Sequence, residues 1–307
     1  MMKKPEQKAE KVRHMYTLPL TLPQMDALAE WLESHNWEFY AVNYSQYAYR
    51  SEGINVVAYT SGKVVIQGKN TEAFVTDVLE PEITKKPRLG LERLEHPEWF
   101  VAHAGMDESG KGDLFGPLVA ACVIADGNIV DFWLKNGLKE SKQISSDAQL
   151  FKMEKLVRQP EGVVIEVAYA GMEKYNQLYQ NFGNLNEQLA WFHAKALEGA
   201  LKKRFVESGL LDQFTKSDLV SKYLHVDGFR LEQHVRAESD PIVAAASIVA
   251  RSAYVHQLKK LSDIANIDLP KGAGVQAKEA LVALIEKHGR EALPKFVKMH
   301  FKTLQEV

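Results

Sequence analysis

The sequence predicts an α/β protein in two parts: a mixed sheet flanked by helices, preceded by a small α+β unit. Three observations carry that expectation. Short β-rich segments crowd residues 39–67, with helical patterns on either side. Charged residues between Pro81 and Pro87 then read as a linker. Beyond it, apolar strand candidates are mixed with long helical patterns, which implies a sheet covered by helices. A chain of 307 residues is long for one compact domain and comfortable for two.

Residues 1–14 are charged and read as a disordered lead-in. The N-terminal domain is expected over 15–85. Thr21 looks like a helix cap, with Pro23 in the first turn and apolar residues at helical spacing to Leu32. Strands are expected at Phe39–Val42, Tyr47–Arg50, Asn55–Tyr59 and Val64–Gln67, and a second helix at Thr71–Leu79. A linker over 86–98 leads to the second domain, 99–307. Its strand candidates are Phe100–Met106, Leu118–Ile124, Val163–Ala170, Leu210–Phe214 and Tyr223–Val226. Its helices are expected at Leu185–Val206, Val243–Lys260, Gln276–His288 and Ala292–Phe296.

Composition narrows the function classes. Hydrophobic content of 46% and charged content of 25% are ordinary for a soluble globular protein. The single cysteine, Cys122, excludes an internal disulfide framework or thiolate cage. No secretory signal and no run of about 18 apolar residues is visible, so a cytoplasmic protein is expected. Nothing asks for a second copy, so a monomer is expected. With a net charge of −2, any nucleic-acid contact must rely on local positive charge. No H-E-x-x-H, G-x-S-x-G or Walker A pattern is present.

The chemistry concentrates in Met106-Asp107-Glu108-Ser109-Gly110-Lys111-Gly112-Asp113. Two adjacent carboxylates run into a glycine-punctuated loop, and the apolar strand Leu118–Ile124 follows. Neighbouring side chains on a strand point to opposite faces, so both acids serve one site only if the backbone leaves the strand near Glu108. Gly110 and Gly112 supply permissive dihedrals and let a ligand backbone come close. Bunched carboxylates are costly unless a cation neutralises them, and oxygen-rich sites suit Mg²⁺ or Mn²⁺. Further acids stand at Asp212, after a short apolar run, and at Glu238 and Asp240, before the small-residue helix Val243–Arg251. That helix packs tightly on a sheet or lets a nucleic-acid backbone approach it. Lys111 suits a phosphate contact, although an exposed loop lysine would look the same. Ser141-Lys142 offers a second cation, with an ordinary loop equally compatible. Lys271, Lys278, Lys287, Arg290, Lys295, Lys298 and Lys302 form either a solvated face or a phosphate-tracking strip.

Asp107–Ala121, read as DESGKGDLFGPLVAA, resembles the opening motif of the type 2 ribonuclease H family, in particular bacterial ribonuclease HIII. Leu138–Lys142, Tyr175-Asn176, Asn184–Asn186, Leu211–Phe214, Ala244–Arg251 and Leu269–Ala273 agree in order. Tyr59–Asn70 resembles the TATA-binding-protein-like substrate-binding domain of ribonuclease HIII, which ribonuclease HII lacks. The resemblance spans roughly residues 15–305. It implies a ribonuclease H-like fold and cleavage of the RNA strand of RNA–DNA hybrids by two divalent ions, Mg²⁺ or Mn²⁺, leaving 5′-phosphate and 3′-hydroxyl ends. It also implies metal-binding, catalytic carboxylates at Asp107, Glu108, Asp212 and Glu238. Asp240 stays open for the fourth acid, and Asp227 is a competing third. Ser109, Gly110, Lys111, Gly112, Ser141, Lys142 and Ser247 are implied to meet substrate. Two alternatives stay open: ribonuclease HII-like incision at single ribonucleotides in DNA, and a non-catalytic nucleic-acid-binding protein.

Overall fold

A computed structural model describes residues 14–86, 91–138, 144–305 and 307. The charged lead-in, up to residue 13, and the Ser141-Lys142 pair lie outside the described residues. The described chain divides into two compact units. One runs to Phe100 and includes Asp131–Gly137; the other comprises Val101–Val130 and the residues from Leu138 to Val307.

The first unit is an antiparallel five-stranded sheet with a helix on one face. Its strands are β1 (Met15–Pro19), β2 (Glu38–Phe39), β3 (Ser45–Ser51), β4 (Ile54–Tyr59) and β5 (Lys63–Gly68), in the order β1-β5-β4-β3-β2. Helix α1 (Leu22–Ser34) starts where Thr21 and Pro23 predict, and the Thr21 N–H donates to the Gln24 side chain at 3.0 Å. Met25, Leu28 and Leu32 of α1 are fully buried against Val56 and Ile66, each worth about 1.5–3 kcal/mol of apolar burial. Helix α2 (Thr71–Phe74) widens into a π-helix over Val75–Thr84. Pro81 sits inside that wider stretch, where an α-helix would bring its ring against the carbonyl four residues back. The expected linker contains helix α3 (Glu92–Glu95) and a 3₁₀ turn at Pro97–Phe100. β1 escaped the sequence reading; Pro19 closes it at the sheet edge, where the missing donor costs least.

The second unit is a mixed sheet of β6 (His103–Ser109), β7 (Val119–Ala125), β8 (Val164–Tyr169), β9 (Ser208–Asp212) and β10 (Arg230–His234), in the order β10-β9-β6-β7-β8. β10, β9 and β6 are parallel; β7 and β8 are antiparallel to their neighbours. Its helices are α4 (Gly127–Lys135), α5 (Asp147–Arg158), α6 (Met172–Phe182), α7 (Leu185–Lys203), α8 (Pro241–Ala265) and α9 (Val275–His288); α4 continues into the first unit's segment. On one face, Ala190, Ala194 and Leu197 of α7 pack on Ala104, Met106, Cys122 and Leu211. On the other face α8 lies so close that a Cβ on Gly105 would stand 2.5 Å from the Val243 nitrogen. Ala244, Ala245 and Ala246 are buried there. Tight helix–sheet packing, one of the two uses foreseen for these small residues, is present here.

Several boundaries differ from expectation. Tyr223–Val226 forms no strand; β10 begins at Arg230, after the turn at Asp227-Gly228. Phe100 closes a 3₁₀ turn, and β6 starts three residues later. Ala292–Phe296 is covered by a 3₁₀ helix over Arg290–Lys295 that contains Pro294. Among the described residues no helix is long and apolar enough to cross a membrane.

Candidate active site

Parallel pairing of β6 with β9 sets Met106 opposite Leu211. Both side chains point into the core beneath α7. One residue further, Asp107 and Asp212 therefore come side by side and emerge on the α8 face. The Glu108 N–H donates to Asp107 Oδ1 at 2.7 Å, and the buried Ser247 side chain on α8 also hydrogen-bonds Asp107. Oδ1 of Asp212 accepts from the Ala237 N–H at 3.0 Å. Ala237 opens the 3₁₀ turn Ala237–Ser239, which carries half-buried Glu238. Burial, then the charge of Glu108, push the Asp107 carboxyl up to about 7; Asp212 adds to the rise, and the two hydrogen bonds oppose it.

Glu108 corrects the expected bend. The strand stays regular through it, with Glu108 opposite Ala120 and Ser109 opposite Val119. The chain turns only at Gly110, where φ is +89°. Glu108 accordingly faces α7, where its Oε2 lies 3.2 Å from Nε2 of His193. The two acids leave opposite sides of one strand end and still interact, since Glu108 raises the Asp107 carboxyl. A site at that end can therefore draw on both without the bend the sequence asked for.

Asp240 has another occupation. It caps α8, with Oδ1 accepting from the Ile242 and Val243 N–H groups at 2.7 and 3.2 Å. Its Oδ2 stands 3.2 Å from Nε2 of His103, and both side chains are buried. Asp227 is exposed in the turn before β10, whereas Asp212 ends the parallel strand β9; the two lie at opposite ends of the sheet.

The loop after Glu108 is pinned from several sides. A Cβ on Gly110 would meet the Pro117 carbonyl at 2.3 Å and the Tyr254 ring at 2.9 Å, so this glycine serves the fold. Gly112 is exposed with nothing within 4 Å of a would-be Cβ. Between them, Lys111 stretches toward Phe214, its Nζ 5.2 Å from the ring centroid. Asp113 Oδ1 accepts from the Gly272 N–H, and the Tyr254 hydroxyl donates to the Phe115 carbonyl at 3.2 Å. Lys298 belongs to neither reading of the late cations. It is fully buried, donates to the carbonyls of Asp113 and Gly116, and lies over the Tyr175 ring. Burial pushes its ammonium down to about 7, against the attraction of Asp113. Lys271 instead pairs with Asp147, and Lys287 bonds the Asn266 carbonyl, so these cations form no single strip.

Comparison with known proteins gives the family. The family profile described as Ribonuclease HII matches residues 104–304, and one described as a domain of unknown function (DUF3378) matches 20–88. The chain is 36% identical to ribonuclease HIII of Chlamydia pneumoniae, over 95% of this chain and 97% of that protein. The chain belongs to the ribonuclease HIII family. Ribonuclease HIII of Protochlamydia amoebophila (strain UWE25) is 34% identical over 95% of this chain and 96% of its own. The crystal structure of Bst-RNase HIII in complex with Mn²⁺ aligns with a TM-score of 0.64 at 26% identity, covering 95% of this chain and 97% of that one. As a ribonuclease HIII, the chain is an endoribonuclease acting on RNA–DNA hybrids, and it carries the family's dependence on divalent metal.

The residues present fit such an ion. Asp107, Glu108, Asp212 and Glu238 offer oxygen donors alone, the set hard cations take. The mutual repulsion recorded in the raised Asp107 carboxyl is what a cation relieves. Among the described residues no three acid, imidazole or thiol groups already converge into a cage. The sequence reading missed His193 and His103, and set Lys298 among solvated or phosphate-tracking cations although it is buried. Each is a polar residue within an apolar run, such as Trp191-Phe192-His193-Ala194 or Phe296-Val297-Lys298, and that context was the available signal.

Proposed function

We propose that Asp107, Glu108, Asp212 and Glu238 are the catalytic carboxylates, that they hold two divalent ions, Mg²⁺ or Mn²⁺, and that hydrolysis leaves 5′-phosphate and 3′-hydroxyl ends. The observation that carries this reading is the side-by-side placement of Asp107 and Asp212 at the ends of β6 and β9. The Mn²⁺ complex of the related Bst enzyme supports it. When bound, such ions lower the pKa of the attacking water and neutralise charge at the leaving 3′-oxygen. This chain's own groups orient the site. The Ala237 N–H fixes Asp212, and Ser247 fixes Asp107, so the Ser247 hydroxyl acts on the carboxylate as well as near substrate. Backbone N–H groups around Gly110, Lys111 and Gly112, with Ser109, face the sugar whose 2′-OH distinguishes RNA from DNA. Lys111, Ser141 and Lys142 meet phosphate. The enzyme works as a cytoplasmic monomer, and its N-terminal domain, over 15–85, adds hybrid binding.

Cleavage of two labelled duplexes tests the reading: a full RNA–DNA hybrid and a DNA duplex with one ribonucleotide, each with Mg²⁺ and with Mn²⁺. Hybrid cleavage abolished by Asp107→Asn, with little cutting at the single ribonucleotide, is expected. Efficient cutting at the single ribonucleotide would move the activity to the ribonuclease HII type. Binding without cleavage of either duplex would leave a non-catalytic binder.

A further inference from the structure

His193 is fully buried on the sheet-facing side of α7. A carboxylate can only accept, so His193 Nε2 donates to Oε2 of Glu108 across 3.2 Å. That leaves Nδ1 buried with no hydrogen-bond partner. Such an atom costs free energy. An apolar residue would fill this helix face without that cost, as Ala190, Ala194 and Leu197 do. The ring is also held in plane: Phe214 stacks on it at 5.4 Å between centroids and 20° between planes. Phe214 follows Asp212 by two residues, so one segment supplies a carboxylate of the site and the ring that steadies the imidazole. Lys111 of the glycine loop reaches the same Phe214.

We infer that His193 is a positioning residue: its Nε2–H anchors one oxygen of Glu108 and leaves the other to a divalent ion. His193 has this role only if Glu108 is a metal ligand, as proposed above. Groups that hydrogen-bond a metal ligand commonly set its affinity by a factor of about 10–100. Phe214 makes the anchor rigid, and Lys111 ties that anchor to the loop proposed to meet substrate.

Calorimetric titration of the full chain with Mn²⁺ tests this, comparing wild type, His193→Ala, His193→Gln and Glu108→Gln, with Tm in EDTA measured for each. The Kd for Mn²⁺ should rise about tenfold or more in His193→Ala. His193→Gln, whose amide can donate to Oε2, should recover most of that loss even where its Tm stays low. The KM for hybrid, measured at saturating Mn²⁺, should stay at the wild-type value in both. Mn²⁺ affinity in His193→Ala equal to or above wild type would overturn the role, since His193 would then be inert or a competitor of the metal. So would a His193→Gln variant no better than His193→Ala. If Glu108→Gln also leaves Mn²⁺ binding unchanged, the ligand assignment of Glu108 fails and the role of His193 falls with it.

Discussion

Asp107 carries a conflict that a proton or a cation relieves. Its carboxyl is pushed up to about 7 from an ordinary 3.8, first by burial and then by Glu108. A raised carboxyl binds its proton more tightly in the folded chain than in the unfolded one. That contribution to stability is fully present below about pH 4 and is lost as pH rises through 7. At pH 8 without metal, the folded protein therefore holds an unfavourable buried charge. Asp107→Asn removes the charge and keeps an oxygen to accept the Glu108 N–H. In EDTA at pH 8 the variant should melt higher than wild type, by roughly 2–4 °C for each kcal/mol of repulsion relieved. At pH 5 the gain should shrink, because wild-type Asp107 is then protonated. Added Mn²⁺ should raise the wild-type Tm and leave the variant nearly unmoved. A variant that melts lower than wild type at both pH values would show that Asp107 is stabilising as an anion, against this reading.

At the scale of one element, the loop from Gly110 to Pro117 separates fold from function glycine by glycine. Gly110→Ala forces a Cβ onto the Pro117 carbonyl at a positive φ, and should lower Tm whatever it does to catalysis. Gly112→Ala meets nothing within 4 Å, so its Tm should match wild type while hybrid cleavage weakens because the methyl holds the sugar off the backbone. Wild-type kinetics in Gly112→Ala would remove the loop from substrate recognition. Much of this element was legible in the chain, since adjacent acids, spaced glycines and an apolar run are local signals. What pins it was not. Lys298 lies far along the chain, and its neighbours Lys295 and Lys302 suggest solvent. The bridge between Phe115 and Val297 and the bond from Lys298 N–H to the Leu114 carbonyl help draw it under the loop. The strand expected at Tyr223–Val226 is absent for a related reason. β-propensity marks apolar segments, but β10 pairs with β9 through the polar run Arg230–His234, where long-range register outweighs composition. Asp240 was ambiguous as a letter; in the fold it accepts hydrogen bonds from two backbone N–H groups of α8 and meets a buried histidine.

At the scale of the whole molecule, chemistry and binding are expected to divide between the two units. All four proposed carboxylates lie in the second unit, on β6, β9 and the turn before α8. The first unit carries its own core. Tyr47 and Tyr49 turn to α1: the Tyr47 hydroxyl donates to the Met25 carbonyl at 2.7 Å and that of Tyr49 to Glu33. On the proposed reading, the sheet residues left to meet hybrid are others, such as Tyr59, which alternates to the face away from α1. Truncation before Leu91 removes the sheet and α1 but keeps Arg93 with its partner Asp131 at 2.5 Å. Losing a tethered binding module reduces effective concentration, not the reactivity of the bound complex. The truncated enzyme should show a KM for hybrid raised by about tenfold or more, with a much smaller fall in kcat. Steady-state kinetics on a labelled hybrid at saturating Mn²⁺ measures both. A collapse of kcat at unchanged KM would mean that the first unit builds the active site instead of holding the duplex for it.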